Sequence, residues 1–392
     1  MEIDMIDSAG GTVIKVVGVG GAGGNAVQHM INKGVQGVEF ICANTDAQAL
    51  KQSTAHNIIQ IGESGLGAGM KPQVGRQLAE ETRARIEDAL RGAHMVFIAA
   101  GMGGGTGTGA APVVAEVAKA QGALTVAVVS KPFSYEGQKC MDIAEEGLEE
   151  LSKNVDSLIV ILNEKLEEIY EDDSMIEWLQ HADDVLNNAV AGIAEIINVP
   201  GHINVDFNDV KTIMGEQGKA MMGTAVAAGV DRARIAAEQA VASPLLDGID
   251  LSGARGVLVN VTASRSLKGK EIKEVMATVR AFAAPDASIA QGIAYDDNMG
   301  EDLRVTVVAT GLGRGRKNVQ LVQTPVLRTG THDQPVAAMQ MQQPSAQPVP
   351  SFEGMKAPAV WRRESASETV RALEKNGMET YDIPAFLRKQ AD

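Results

Sequence analysis

The chain has 392 residues, of which 45% are hydrophobic and 3% aromatic, and its formal net charge is −15. This length exceeds that of one ordinary core and predicts two domains with further segments. The negative charge excludes binding to bare nucleic acid or anionic membrane through a bulk field, and the two Cys and six scattered His lack the spacing of a disulfide framework or a metal site.

Residues 1–12 are acidic and do not show the basic-then-apolar pattern of a secretion signal, so we expect an N-terminal tail on a cytoplasmic protein. Residues 95–115 carry no charge and are about long enough to span a bilayer. Gly residues and Pro112 interrupt this segment, however, so a strand followed by a Gly-rich loop explains it better. We therefore expect no direct insertion into a membrane.

Short, nearly continuous apolar runs in the first half of the chain predict strands that are buried on both faces, as in parallel sheets. They cover residues 13–19, 38–43, 95–100, 124–129 and 157–162. Helical patterns lie between them, for example over 74–90. Alternating strands and helices predict an α/β, doubly wound sheet over residues 13–174.

A long helix is predicted over residues 175–201, where Pro200 and Gly201 end it. Apolar residues share one of its faces at helical spacing: Ile176, Leu179, Leu186, Val190, Ile193 and Ile197. Helices over 231–242 and 270–283 and strands over 256–263, 289–295 and 303–310 follow. They predict a second, smaller α+β domain over residues 202–313, joined to the first by the long helix.

The composition changes after this domain. Residues 314–380 are rich in Gln, Pro, Ser, Thr and charge, and cannot bury enough apolar surface to offset chain entropy, so they predict a disordered linker. Apolar residues return in the segment 381–392, from Asp382 to Lys389. An apolar cluster after a long linker indicates a docking peptide, although a frayed tail is the simpler interpretation.

A first Gly-rich loop follows the first predicted strand. Gly18, Gly20 and Gly23 match GxGxxG, and Asp46 lies about 20 residues further on, as in the dinucleotide fingerprint. Such a loop lets backbone N–H groups approach a phosphate at a helix N-terminus. This motif alone leaves open an NAD-type oxidoreductase, another phosphate ligand or a structural turn.

A second Gly-rich loop, over residues 101–109, also follows a strand and enters a helix. Successive N–H groups and Thr hydroxyls in such a run can surround phosphate oxygens. Two phosphate loops in one sheet favour a nucleoside triphosphate over a dinucleotide. The chain has no GxxxxGK[ST] motif, so this is not a P-loop.

The sequence GGGTGTG at 103–109 resembles the signature of the tubulin/FtsZ family of GTPases. The segments 44–46 (NTD), 65–69 (GLGAG) and 131–133 (KPF) occur in the order expected for that family, and the resemblance covers residues 12–313 and the last dozen residues. It implies a doubly wound Rossmann-like GTPase domain with a smaller second domain. It also implies a GTPase that assembles into head-to-tail protofilaments and forms the cytokinetic ring of bacterial cell division beneath the inner membrane.

The resemblance implies GTP/GDP and Mg²⁺ as cofactors, with the metal held on the phosphates. It implies that residues 21–25 and 105–107 bind the phosphates, that Glu136 contacts the ribose, and that Asn163 and Asp184 read guanine. A carboxylate at Asp184 suits this role because it can accept hydrogen bonds from guanine N1–H and N2–H. The implied nucleotide site consists of Gly20, Gly21, Ala22, Gly23, Gly24, Asn25, Asn44, Asp46, Gly103, Gly104, Gly105, Thr106, Gly107, Thr108, Glu136, Cys140, Asn163 and Asp184.

Two positions depart from the family pattern. Cys140 stands where an Arg is usual, and Leu179 stands where an aromatic residue often packs on the base. A thiol cannot supply a fixed cation beside the nucleotide. These departures bear on nucleotide affinity and turnover rather than on the class of function.

The acidic segment after the long helix contains Asn204, Asp206 and Asp209. On the residues alone a surface turn is the simpler interpretation. The resemblance implies that this loop enters the nucleotide site of the next subunit, where its carboxylates position and polarise the attacking water. It also implies that the tail peptide binds membrane-tethering adaptors and assembly regulators.

Overall fold

The computed structural model describes residues 11–198, 205–215, 219–243 and 254–312. The predicted linker over 314–380, the tail peptide, Asn204 and most of the predicted N-terminal tail therefore lie outside the described residues. Nothing in the structure tests those four predictions.

The first part of the chain alternates strands and helices as the apolar runs predict. Its elements are β1 (Ile14–Val19), α1 (Gly20–Asn32), β2 (Glu39–Asn44), α2 (Ala47–Lys51), β3 (Asn57–Gln60), α3 (Pro72–Glu81), α4 (Arg83–Leu90), β4 (Met95–Gly101), α5 (Thr106–Ala120), β5 (Leu124–Ser130), α6 (Gln138–Asn154), β6 (Ser157–Ile161) and α7 (Asn163–Ile169).

The second part begins with the long helix. Its elements are α8 (Met175–Asn198), α9 (Phe207–Met214), β7 (Lys219–Ala227), α10 (Arg232–Val241), β8 (Gly256–Ala263), α11 (Gly269–Phe282), β9 (Ser288–Tyr295) and β10 (Leu303–Leu312). None of the helices in the described ranges is long and apolar enough to cross a bilayer.

The strands form one sheet in the order β3-β2-β1-β4-β5-β6-β7-β10-β8-β9. Strands β1 to β6 pair in parallel, in the arrangement of a doubly wound fold. Strand β10 runs antiparallel to β7 and β8, whereas β8 and β9 are parallel. The α/β fold with a smaller α+β part is thus confirmed.

The parallel half of the sheet is buried on both faces. One face packs against α1 and α8 through residues such as Met30, Phe97 and Val190, and the other packs against α3 to α6 through residues such as Ile98 and Leu151. Because aromatic residues are scarce, small and branched aliphatic side chains fill most of this core. Packing on both faces holds β1 and β4 in place in the sheet. The loops that follow these two parallel strands are therefore held at the same edge of the sheet.

The structure corrects one helical prediction and shows how far the apolar face of a second helix is buried. The predicted helix over 74–90 is two helices, because the Thr82 hydroxyl at the junction donates to the Leu78 carbonyl oxygen (2.8 Å) and accepts from the Gly62 N–H (2.9 Å). The apolar face of α8 is buried from Ala182 onward, while Ile176 is 69% exposed and Leu179 is 46% exposed. The first turns of α8 therefore extend past the core.

Candidate nucleotide-binding site

The two Gly-rich loops meet at the carboxyl edge of the parallel sheet. Strands β1 and β4 are hydrogen-bonded neighbours with Val19 opposite Ala100, so the turns that follow them lie side by side. Gly20 has a φ of +76°, and a Cβ on it would lie 2.9 Å from the amide nitrogen of Gly107. Only glycine fits both the backbone conformation and this close approach.

The glycines of these loops are of two kinds. A Cβ on Gly23 would lie 2.2 Å from the Ala99 carbonyl oxygen, and one on Gly105 would lie 2.1 Å from the Gly69 carbonyl oxygen. A Cβ on Gly21, Gly24 or Gly104 would meet no atom of the described residues within 4 Å. Gly23 and Gly105 therefore let two backbone segments pack closely, whereas Gly21, Gly24 and Gly104 border open space.

Helices α1 and α5 begin at these loops, at Gly20 and Thr106 respectively, and no side chain in the described part of the chain caps either N-terminus. Their first N–H groups are therefore left for another acceptor, and the positive end of each helix dipole favours an anion. Free N–H groups beside open space fit the phosphates of a nucleotide.

A cleft of about 170 Å³ runs from the first loop along α1 toward β2. It is lined by Gly18, Gly20, Gly21, Gly24, Asn25, Gln28, Cys42, Ala43, Asn44, Ala49, Leu50, Gln52 and Ser53. Five of the predicted site residues border it, while the second Gly-rich loop, Glu136, Asn163 and Asp184 do not. Gln28, Gln52 and Ser53 were not predicted, although the helical repeat places Gln28 one turn after Gly24 on α1.

Several predicted residues hold the loops in place. The Thr45 hydroxyl lies 2.7 Å from the Thr106 hydroxyl, which ties the end of β2 to the second loop. The Thr108 hydroxyl is buried and accepts from the Gly103 N–H at 2.9 Å. The Asp46 carboxylate accepts from the N–H groups of Gln48 (2.8 Å) and Ala49 (3.4 Å), and so caps α2.

Cys140 packs against the second loop from α6. Its thiol lies 3.5 Å from the Gly103 carbonyl oxygen, to which it donates. Desolvation by burial, with a smaller contribution from the charge of Glu136, raises the pKa of the Cys140 thiol. The thiol is therefore neutral at physiological pH and acts as a packing and hydrogen-bonding group. Glu136 accepts from the Phe133 N–H at 2.9 Å.

Aromatic rings gather near the start of α8. The Phe133 ring stacks on Tyr135 (centroids 5.4 Å apart) and on Trp178 (6.3 Å), and the Trp178 indole N–H donates to the Tyr170 carbonyl oxygen at 2.6 Å. Trp178 precedes the exposed Leu179. The rings of Phe133, Tyr135 and Trp178 thus form an aromatic platform here, even though Leu179 itself is aliphatic.

Asn163, the first residue of α7, is 5% exposed, and its side-chain oxygen has no hydrogen-bond partner among the described residues. A buried acceptor without a donor costs about 1–3 kcal/mol. A ligand N–H group, such as one of guanine, would remove that cost.

The carboxylate of Asp184 on α8 contacts α1. Its Oδ1 atom lies 2.7 Å from His29 Nε2 and 3.3 Å from Lys33 Nζ. The side chain of Asp184 is 38% exposed, that of His29 21% and that of Lys33 53%. The neighbouring residue Asp183 is partly buried, and this burial raises the pKa of its carboxyl group to about 6.

The Asp183 carboxyl group predicts a pH-dependent stability. Burial raises the pKa of the Asp183 carboxyl group from 3.8 to about 6, so the folded state favours the protonated form. The protonated carboxyl group therefore contributes its full stabilisation of the folded state below pH 3.8, and this stabilisation is lost as the pH rises through about 6. We expect Asp183→Asn to raise the free energy of unfolding at neutral pH by roughly 1–2 kcal/mol, after allowance for partial exposure.

Urea unfolding at neutral pH and near pH 4 measures this effect. The stabilisation by Asn should vanish at the acidic pH, where the wild-type carboxyl group is also neutral. Asp184→Asn is the matched control and should destabilise the chain at neutral pH, because it weakens the contacts with His29 and Lys33. An equal gain for Asp183→Asn at both pH values would contradict the assignment.

The acidic residues Asp206 and Asp209 lie at the other edge of the sheet. Asp206 caps α9 by accepting from the Asn208 N–H at 3.2 Å, and the Phe207 ring packs edge-on against His94 with centroids 6.2 Å apart. His94 directly precedes β4, whereas the second Gly-rich loop follows it. The seven residues of β4 separate the two edges by about 20 Å.

Asp209 is exposed and borders a second cleft of about 360 Å³. The cleft is lined by Val205, Asp209, Thr212, Ile213, Ser288, Ile289, Ala290 and Gln291. In the part of the chain that the structure describes, no group of three or more His, Cys, Asp and Glu side chains is placed to hold a metal ion.

Comparisons with known proteins show the family to which the chain is similar. Residues 13–171 match the model of the tubulin/FtsZ family GTPase domain, and residues 218–313 match that of the FtsZ family C-terminal domain. The chain is 51% identical over 398 residues to the cell division protein FtsZ of Pseudomonas aeruginosa, covering 99% of this chain and 100% of that protein.

Two further similarities extend the comparison. The cell division protein FtsZ of Coxiella burnetii is 49% identical over 389 residues, covering 96% of each protein. A solved structure of an empty FtsZ dimer from M. jannaschii superposes with a TM-score of 0.75 at 44% identity, covering 78% of this chain and 89% of that one.

Proposed function

The chain belongs to the tubulin/FtsZ family of GTPases, and on this premise we propose that it hydrolyses GTP where successive subunits of a head-to-tail filament meet. The family assignment makes it a GTP-binding, GTP-hydrolysing protein of bacterial cell division. No finding supports the alternative of an NAD-type oxidoreductase. The carboxylate that would bind ribose in such an enzyme, Asp46, caps α2 instead.

The phosphates occupy the space between the two Gly-rich loops in this proposal. Gly21, Gly24 and Gly104 leave room for them, and the first N–H groups of α1 and α5 donate to their oxygens. Mg²⁺ bound together with the nucleotide would supply positive charge to offset part of the negative charge of the phosphates. Asn163 and Asp184 accept from the N–H groups of guanine, and Glu136 contacts the ribose.

The hydrolytic carboxylates come from the neighbouring subunit. The observation that carries this step is the separation of Asp206 and Asp209 from the Gly-rich loops by the full length of β4. A head-to-tail contact repeats along one axis, so it brings the amino edge of one sheet to the carboxyl edge of the next. Asp206 and Asp209, with Asn204, then orient and polarise the water that attacks the γ-phosphate, a reaction that depends mainly on positioning and charge.

The remaining segments attach the filament to other proteins in this proposal. The linker over 314–380 and the peptide from Asp382 to Lys389 connect the GTPase to membrane-tethering adaptors and assembly regulators at the division site, in the cytoplasm beneath the inner membrane. Composition supports this part, through the return of apolar residues after a long polar segment. We further propose domain limits of 13–174 and 202–313, with residues 175–201 as the helix between them.

Phosphate release at increasing protein concentration tests the proposal. With GTP and Mg²⁺ in excess, we expect almost no release below a threshold concentration and a linear rise above it, because each complete site needs two subunits. Pelleting at the same concentrations should show filaments appear at that threshold. Release that is proportional to protein concentration from zero would mean that each monomer carries its whole site.

A further inference from the structure

We propose that His29 is a positioning residue for guanine recognition, because it fixes one oxygen of the Asp184 carboxylate and leaves the other oxygen to the base. This inference rests on the proposed role of Asp184 in reading guanine. The contact links two helices, since His29 lies in the last turn of α1 and Asp184 lies 155 residues further along the chain on α8.

The contacts of Asp184 with His29 and Lys33 end on the same atom. His29 Nε2 and Lys33 Nζ lie 2.7 Å and 3.3 Å from Oδ1. Among the described residues, the other oxygen, Oδ2, has no hydrogen-bond partner. A carboxylate that is held at one oxygen keeps its plane and its rotamer, so the acceptor directions of Oδ2 are fixed before a ligand arrives.

His29 contributes more to this arrangement than Lys33. The side chain of His29 is 21% exposed and its contact is short, whereas the side chain of Lys33 is 53% exposed and belongs to a flexible stem. Exposed ion pairs of lysine contribute little, while short hydrogen bonds to a carboxylate are strong and directional. Asp183 is the other charged group at this contact, and it adds negative charge beside His29.

The contact between His29 and Asp184 links the carboxylate to the helix that begins at the first Gly-rich loop. The same 13-residue helix begins at Gly20, in the phosphate loop, and borders the nucleotide cleft as far as Gln28. The helix is about 20 Å long. One rigid element therefore sets the position of the phosphate-binding N–H groups and, through His29, the position of the base-reading carboxylate.

Nucleotide binding without Mg²⁺ and below the assembly threshold tests the inference, because it separates base recognition from hydrolysis and assembly. The probes are GTP and inosine triphosphate, which lacks the exocyclic amino group of guanine. We expect His29→Ala to weaken GTP binding by about tenfold, the value of a hydrogen bond to a charged group. It should also lower the preference for GTP over inosine triphosphate toward that of Asp184→Ala.

Two further substitutions of His29 distinguish loss of the hydrogen bond from a general loss of structure. The Nε2 atom of Gln can reach the place of His Nε2, so His29→Gln should retain most of the GTP preference. Asn is too short, so His29→Asn should behave like His29→Ala. Lys33→Met should change GTP affinity by less than about threefold.

The outcomes separate this inference from the proposed function. If Asp184→Ala loses the GTP preference but His29→Ala and His29→Asn keep it, the positioning role is wrong and the base-reading role stands. If Asp184→Ala binds both nucleotides like the wild type, both roles fall. If Gln and Asn at position 29 are equally impaired, the hydrogen bond from Nε2 is not the cause and the inference fails.

Discussion

Replacing Asp209 with alanine is expected to lower GTP turnover on the order of a hundredfold or more, while GTP affinity stays within about twofold of the wild type. The reason is the distance between the two edges of the sheet. Asp209 is exposed on α9, near the amino end of β4, whereas the two Gly-rich loops proposed to hold GTP follow the carboxyl ends of β1 and β4. The substitution therefore removes a group from the neighbour's site and leaves the subunit's own nucleotide pocket intact.

Steady-state phosphate release and equilibrium GTP binding measure the two halves of this prediction. Asn208→Ala is a matched control, because Asn208 is an exposed neighbour on α9 that the proposed mechanism does not use. It should hydrolyse GTP at close to the wild-type rate. A wild-type rate for Asp209→Ala would remove this carboxylate from the reaction.

Mixing two inactive variants gives a sharper test of a shared site. Gly104→Val should block the proposed phosphate space, because a Cβ at Gly104 meets no atom of the described residues within 4 Å and projects into that space. Its Asp209 remains intact. Asp209→Ala has the complementary defect. A mixture should release phosphate faster than either variant alone, since some contacts join an intact pocket to an intact Asp209.

The second large effect is expected at the second Gly-rich loop. Gly105→Ala should lower the free energy of unfolding by about 3 kcal/mol, at the upper end of the usual cost of overpacking. The added Cβ would lie 2.1 Å from the Gly69 carbonyl oxygen and 3.0 Å from the Lys71 amide nitrogen. Both are backbone atoms, so neither can move away as a flexible side chain could.

Gly104→Ala is the matched control one residue earlier. Its Cβ meets nothing within 4 Å, so stability should change by less than about 0.5 kcal/mol, whereas GTP affinity should fall because the methyl group enters the phosphate space. Urea unfolding without nucleotide and GTP titration give the two quantities. Equal stability for the two variants would show that the loop relaxes, and unchanged GTP affinity for Gly104→Ala would place the phosphates elsewhere.

The loops could be predicted from sequence because their requirements are local. An apolar run that ends in glycines predicts a buried strand followed by a turn in which no Cβ fits. At Gly20 and Gly105 the space for a Cβ is taken by backbone atoms of other segments. The strands β4 and β5 were predicted to within one residue for the same reason, since continuous apolar runs suit only a sheet that is covered on both faces.

The parts that could not be predicted depend on contacts between distant segments. His29 gives no local signal, because it acquires its role from Asp184 on another helix. Thr82 fits the predicted helical pattern, but its hydroxyl group accepts a hydrogen bond from the Gly62 N–H, a contact that the local sequence does not indicate. Leu179 follows the apolar repeat of α8, yet the helix has left the core at that point and the side chain is 46% exposed.

The aromatic platform at the start of α8 also provides an optical reporter. Trp178 stacks on Phe133 and donates its indole N–H to Tyr170, and the other tryptophan of the chain, Trp361, lies outside the described residues. Indole emission responds to nearby rings and to solvent, and Trp178 directly precedes Leu179, the position where the family resemblance implies packing on the base. With Trp361 replaced by phenylalanine, intrinsic fluorescence would therefore follow occupancy of the proposed base site in real time, without an attached dye.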